Sequence, residues 1–97
     1  MVVQVDIMKQ VLEEEALVAQ HREAIEADEM LLGQEKVMLD DLEADGCSVD
    51  DYAAALEKVL AAKLRICSEL QGRLDHLKEV MAKEETASAN VKQVPLY

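Results

Sequence analysis

One short segment governs what this chain can fold into. Between Val2 and Lys92 the only cluster of helix stop and start signals is Ala44-Asp45-Gly46-Cys47-Ser48-Val49-Asp50-Asp51. Gly46 suits the left-handed position just past a helix C-terminus, Ser48 is a good N-cap, and Asp50 and Asp51 put negative charge in the next first turn. The lone proline is Pro95, and the glycines are Gly33, Gly46 and Gly72. The pattern predicts one helix from about residue 6 to 44, a turn at 45–48 and a second helix from about 49 to 85. Each would be about 38 residues, or ~57 Å, long. Two helices of matched length joined by a short turn form an antiparallel hairpin, here residues 1–86. After Thr86 the periodicity is lost, and 87–97 reads as a flexible tail. A continuous parallel coiled coil is the competing architecture, and it requires helix to run through Asp45-Gly46-Cys47-Ser48.

The residue types agree with an all-α fold. The chain has no Phe or Trp and two tyrosines, Tyr52 and Tyr97, so its core is aliphatic. No run approaches the 18 apolar residues of a membrane span, and Met1 to Met8 lacks the long apolar region of a signal peptide. The expectation is a soluble, intracellular chain. Cys47 and Cys67 would stand about 30 Å apart along one helix, far beyond disulfide reach, and read as free thiols: one small turn residue and one small core residue.

The two helices carry different faces. In the first, Val11, Val18, Ile25, Leu32 and Leu39 recur every seven residues beside Leu17, Ala24, Leu31 and Met38, with His21, Asp28 and Glu35 between them. In the second, Val49, Tyr52, Leu56, Val59, Ile66, Leu70, Leu77 and Val80 make one seam, broken by Lys63 and Arg73. Leu60, Leu64, Cys67, Leu74 and Met81 make another beside it. Such a face is too wide for one partner helix. The second helix is expected to bury one seam against the first helix and the other against something else. Counting residues back from the turn pairs Leu42 with Tyr52, Leu39 with Leu56, Leu31 with Leu64, Ile25 with Leu70 and Val18 with Leu77 or Met81, and sets Gly72 opposite His21.

Charge restricts what that something else can be. Residues 6–45 hold thirteen acidic and three basic side chains, a net −10, whereas 48–86 hold eight and six, a net −2. The whole chain carries −11. A homodimer would therefore set the two second helices at its centre and the acidic first helices outside, as a four-helix bundle. Nucleic acid is excluded by the sign of the charge and the lack of stacking aromatics, and a membrane by the absence of a span. Direct contact with an acidic microtubule surface is disfavoured on the same electrostatic ground. Runs such as Glu14-Glu15 and Asp40-Asp41 are commonly solvated helix faces, but they would also dock on a basic protein surface.

Catalytic chemistry finds no support. His21 could ligate a metal, but the residue three before it is Val18, not the Glu of a di-metal bundle. His76 with Glu79 is one surface pair without a second Glu-x-x-His. There is no phosphate-binding glycine loop, no Cys-x-x-Cys and no serine set beside a histidine in a glycine turn. The expectation is a non-enzyme with no metal and no cofactor.

Two colinear clusters carry a resemblance. The first reads Glu14-Glu15-Ala16-Leu17-Val18, His21-Arg22, Ile25-Glu26; the second reads Asp50-Asp51-Tyr52, Leu56, Val59-Leu60, Lys63 and Leu70-Gln71-Gly72-Arg73-Leu74. Over roughly residues 13 to 77 the chain resembles the C-terminal helical segment of the internal-motor, microtubule-depolymerising kinesins, the kinesin-thirteen family. It departs from that pattern between Ala27 and Lys36, and it has Asp45-Gly46 where the family has Pro-Gly, so it looks like a divergent relative. The resemblance implies a coiled-coil module for dimerisation or regulation, with ATPase and depolymerase activity in a motor domain that this chain lacks. It also implies a cytoplasmic, cytoskeletal location, at microtubules or spindle through the full-length motor.

Two function readings follow. In one, the hairpin dimerises the ends of such a motor, with Val18, Ile25, Leu32, Leu39, Leu56, Val59, Leu60, Ile66, Leu70, Leu74 and Leu77 as hairpin and dimer interface. In the other, a monomeric hairpin acts as an adaptor or autoregulatory clamp, docking Glu14, Glu15, Asp40 and Asp41 on a basic surface of its own motor and neck or of another protein.

Overall fold

The computed structural model describes the backbone of residues 2–93 and the side chains of residues 8–83. It contains two helices, α1 (Val2–Glu43) and α2 (Val49–Gln93), antiparallel and joined by a tight turn; no strand occurs among the described residues. The fold is the expected all-α hairpin, and the continuous parallel coiled coil is excluded by the turn. Helix α2 runs past the end at 85 that periodicity suggests. Ala87 and Ala89 are strong helix formers, and the next helix breaker in the sequence is Pro95. Residues 94–97 of the expected tail lie outside the described residues.

The turn is a Schellman closure. The Gly46 N–H donates to the Asp41 carbonyl at 2.7 Å and the Asp45 N–H to the Leu42 carbonyl at 3.2 Å, which satisfies two of the orphan carbonyls at the end of α1. The left-handed residue is Asp45, with φ 57°, and not Gly46 as the sequence suggests. Asp tolerates that conformation better than most side chains. What glycine supplies at 46 is space, since a Cβ there would stand 3.2 Å from the Asp41 carbonyl oxygen. On the far side of the turn the Ser48 hydroxyl accepts from the Asp51 N–H at 3.1 Å, the N-cap of α2, and Asp50 and Asp51 fill its first turn.

The chain divides into two compact segments, a turn-proximal one of residues 21–69 and a turn-distal one made of residues 1–20 and 70–97. In the turn-proximal segment Ala24 and Val59 are buried, and Leu31, Met38, Leu42, Tyr52, Leu56 and Ile66 are half-buried around them. In the turn-distal segment Leu77 and Val80 are buried and Leu17 and Leu70 half-buried. These four buried side chains are the whole core among the described residues. Two helices touch along one line, so each hides only a narrow stripe.

The phase of α1 differs from the expected pairing. Val18, Ile25, Leu32 and Leu39 are all exposed, and the residue before each one, Leu17, Ala24, Leu31 and Met38, turns towards α2 instead. On α2, Leu64 and Met81, assigned partners on α1, are exposed as well. Gly72 and His21 are each exposed, and a Cβ on Gly72 would touch nothing within 4 Å. The physical reason lies in the polar residues of the seam. The adopted phase also brings Glu13, Gln20 and Glu35 inward, where each finds a cationic partner on α2.

Candidate interaction surface

One polar layer fixes each segment in register. In the turn-proximal segment the Lys63 Nζ stands 2.8 and 2.7 Å from the two Glu35 carboxylate oxygens. In the turn-distal segment the Arg73 guanidinium donates from Nε to the Gln20 side-chain oxygen at 3.1 Å and approaches Glu13 at 3.6 Å; His76 Nε2 lies 3.3 Å from the same carboxylate. His76 is thus drawn to the opposite helix and not to Glu79. Glu35 and Lys63, or Glu13 and Arg73, each break an apolar stripe in the sequence. Counting from the turn does not pair these charges, since Glu35 lies 11 residues before Gly46 and Lys63 17 after it, and Glu13 lies 33 before and Arg73 27 after; only Gln20, 26 before, matches Arg73. These pairs are partly exposed, so they specify alignment more than they stabilise.

The remaining apolar residues are left uncovered. In the turn-proximal segment Ile25, Leu32 and Leu39 on α1 and Val49, Leu60 and Leu64 on α2 are exposed, as is Cys67, which is a free thiol on the surface and not a core residue. In the turn-distal segment Val11, Val18, Leu74 and Met81 are exposed. Of the residues expected to form interfaces, the structure buries Val59 and Leu77, half-buries Leu56, Ile66 and Leu70, and leaves Val18, Ile25, Leu32, Leu39, Leu60 and Leu74 facing outward.

Their position follows from helix geometry. On α1 each exposed residue comes one position after an inward one, as Ile25 follows Ala24 and Leu32 follows Leu31. On α2 the same holds for Leu60 after Val59 and Cys67 after Ile66. Antiparallel helices are related by a twofold axis perpendicular to their common plane, so the same rotation from the inward direction reaches the same flank on both. Within the turn-proximal segment, Ile25, Leu32, Leu39, Leu60, Leu64 and Cys67 therefore share one flank. An open apolar groove runs along it on α2 from Val49 to Leu64, floored by Ala53 and Leu56. The opposite flank of this segment carries a second apolar groove, lined by Gly33, Val37, Met38, Ala55 and the stem of Lys58.

The acidic residues lie elsewhere. Glu14, Glu15, Asp40 and Asp41 are exposed, with Glu14 accepting a hydrogen bond from the Gln10 amide at 3.2 Å. Their neighbour Glu13 belongs to the polar layer with Arg73. No group of three metal-ligating side chains occurs among the described residues, and no described helix is long and apolar enough to cross a membrane.

Comparison with known proteins points the same way as the helical pattern. The chain is 35% identical over 82 residues, 81% of its length, to the diatom spindle kinesin-1 of Cylindrotheca fusiformis. This chain resembles part of a kinesin. It spans 13% of that relative's length, and its described residues form two helices joined by a turn. No family model and no solved structure matches it.

Proposed function

We propose that this chain is the non-catalytic C-terminal dimerisation and regulatory module of a microtubule-depolymerising kinesin. The observation that carries the reading is the uncovered apolar flank on a hairpin that is itself similar to part of a kinesin. A two-helix pair with four buried side chains leaves most of its aliphatic surface in water, and patches of that extent mark association sites. The ATPase and depolymerase activities belong to a motor domain outside this chain, which also supplies the cytoskeletal, spindle-associated location. The preferred partner is a second copy.

A monomeric adaptor or autoregulatory clamp is the second reading, favoured by the exposure of Glu14, Glu15, Asp40 and Asp41 on α1, which carries most of the excess negative charge. Such a face fits a motor, neck or other protein surface rich in Lys and Arg. Mass in solution separates the two. Light scattering is expected to give twice the chain mass of 10.8 kDa, and a monomer at every concentration would remove the dimer and leave the clamp.

A further inference from the structure

We infer that the second copy is held by the outward seam of α2, residues Val49 to Cys67, packed against the same seam of its partner; this rests on the dimer reading above. Val49, Ala53, Leu56, Leu60, Leu64 and Cys67 follow one another at spacings of four, three, four, four and three. Apart from the two consecutive fours at Leu56, Leu60 and Leu64, that is the alternation of a coiled-coil seam, sustained for about 27 Å along the helix. All six are uncharged in a chain where 32% of residues are charged. Leu56 alone is shared with the inward face. The others border or line the open groove, and Leu64 is 72% exposed.

Charge selects the occupant. A partner for this seam must bring an uncharged apolar helix face. The corresponding flank of α1 does not qualify, because His21, Asp28 and Glu43 alternate with Ile25, Leu32 and Leu39. Setting α1 of a second copy on the α2 seam would desolvate those charges against aliphatic side chains, which is strongly unfavourable. The six seam residues of α2 bring none, and Glu57 is the single charged residue lining the groove beside them. Pairing α2 with α2 also keeps the two α1 helices apart, which matters because nearly all of the excess negative charge is on α1. Ile25, Leu32 and Leu39, exposed on the same flank of α1, extend the aliphatic surface beside the seam. Leu60 stands near its centre, Leu64 one turn further on, and Cys67 is a built-in reporter at its end.

The test uses the whole chain in three double variants. Leu60→Glu with Leu64→Glu alters the α2 seam, Leu32→Glu with Leu39→Glu alters the α1 stripe, and Gly33→Glu with Val37→Glu alters the opposite groove. All six positions are exposed, so helicity by circular dichroism should be unchanged in each. The α2 variant is expected to be monomeric at concentrations at least 100-fold above the wild-type dimer constant, and the other two to remain dimeric, weakened at most about tenfold. In a Cys47→Ser background, the reaction of Cys67 with a maleimide should slow at least tenfold as the chain passes from monomer to dimer. A dimer that survives in the α2 variant, or is lost in either other variant instead, overturns the α2 seam while leaving dimerisation intact. Cys67 reactivity that ignores the dimer transition overturns it too, independently of any folding effect. A wild-type chain that never dimerises defeats the dimer reading itself.

Discussion

Asp45 holds the turn in a conformation that costs it energy. A non-glycine residue at φ 57° brings its Cβ close to the following carbonyl, at a cost of roughly 1–2 kcal/mol. The two Schellman bonds of Asp45 and Gly46 hold the residue there. Asp45→Gly is expected to raise stability by about 0.5–1 kcal/mol, the strain removed less the entropy glycine loses on folding. Thermal melts followed by circular dichroism check this, and a lowered melting temperature would show that the Asp side chain contributes more to the turn than its backbone costs. The Asp45-Gly46 pair was legible as a turn. Which of the two takes the left-handed angle was not, because the register of the closing bonds is set by where α1 leaves off.

At the scale of the helices, each segment has a narrow contact line and a few side chains that hold it. Leu77 is 8% exposed, and Leu77→Ala is expected to cost about 2–3 kcal/mol, the low end for a buried leucine because a two-helix contact can relax around the cavity. Glu14→Ala, on the exposed face of α1, should change stability by no more than about 0.5 kcal/mol. Urea melts of the two variants decide: comparable losses would mean that the burial seen on α2 is not what holds the turn-distal segment together. The adjacent stripes on α1, Leu17-Ala24-Leu31-Met38 and Val18-Ile25-Leu32-Leu39, are almost equally apolar in sequence. The inward choice fell on the one carrying the small Ala24 and phased with Glu13, Gln20 and Glu35, whose partners Arg73 and Lys63 stand on α2.

The whole molecule combines a large net charge with an uncovered aliphatic flank, and the two respond oppositely to salt. Copies of −11 charge repel one another, and added salt screens that repulsion beyond ~8–10 Å. Self-association through the apolar seam is therefore expected to strengthen from low to high salt. Docking of the acidic α1 face on a Lys- and Arg-rich motor domain should weaken over the same range, and should lose that salt dependence when Glu14, Glu15, Asp40 and Asp41 are neutralised. Light scattering and binding to the separately expressed motor domain measure the two. A dimer that dissociates as salt rises would contradict the apolar seam, and binding indifferent to salt would remove the electrostatic clamp.

The sequence by itself determined the helices, the turn and the surplus of apolar surface. These follow from local chemistry: helix-forming runs without proline, Asp45-Gly46 followed by the Ser48 cap, and more apolar stripes than one partner helix can cover. Tertiary structure alone decided the phase of α1, the left-handed residue of the turn, and the pairing of Glu35 with Lys63 and of Glu13 and Gln20 with Arg73. A stripe one residue over differs by 100° around a helix and by almost nothing in hydrophobicity. The choice between such neighbours depends on which charged side chains of the opposite helix must be met.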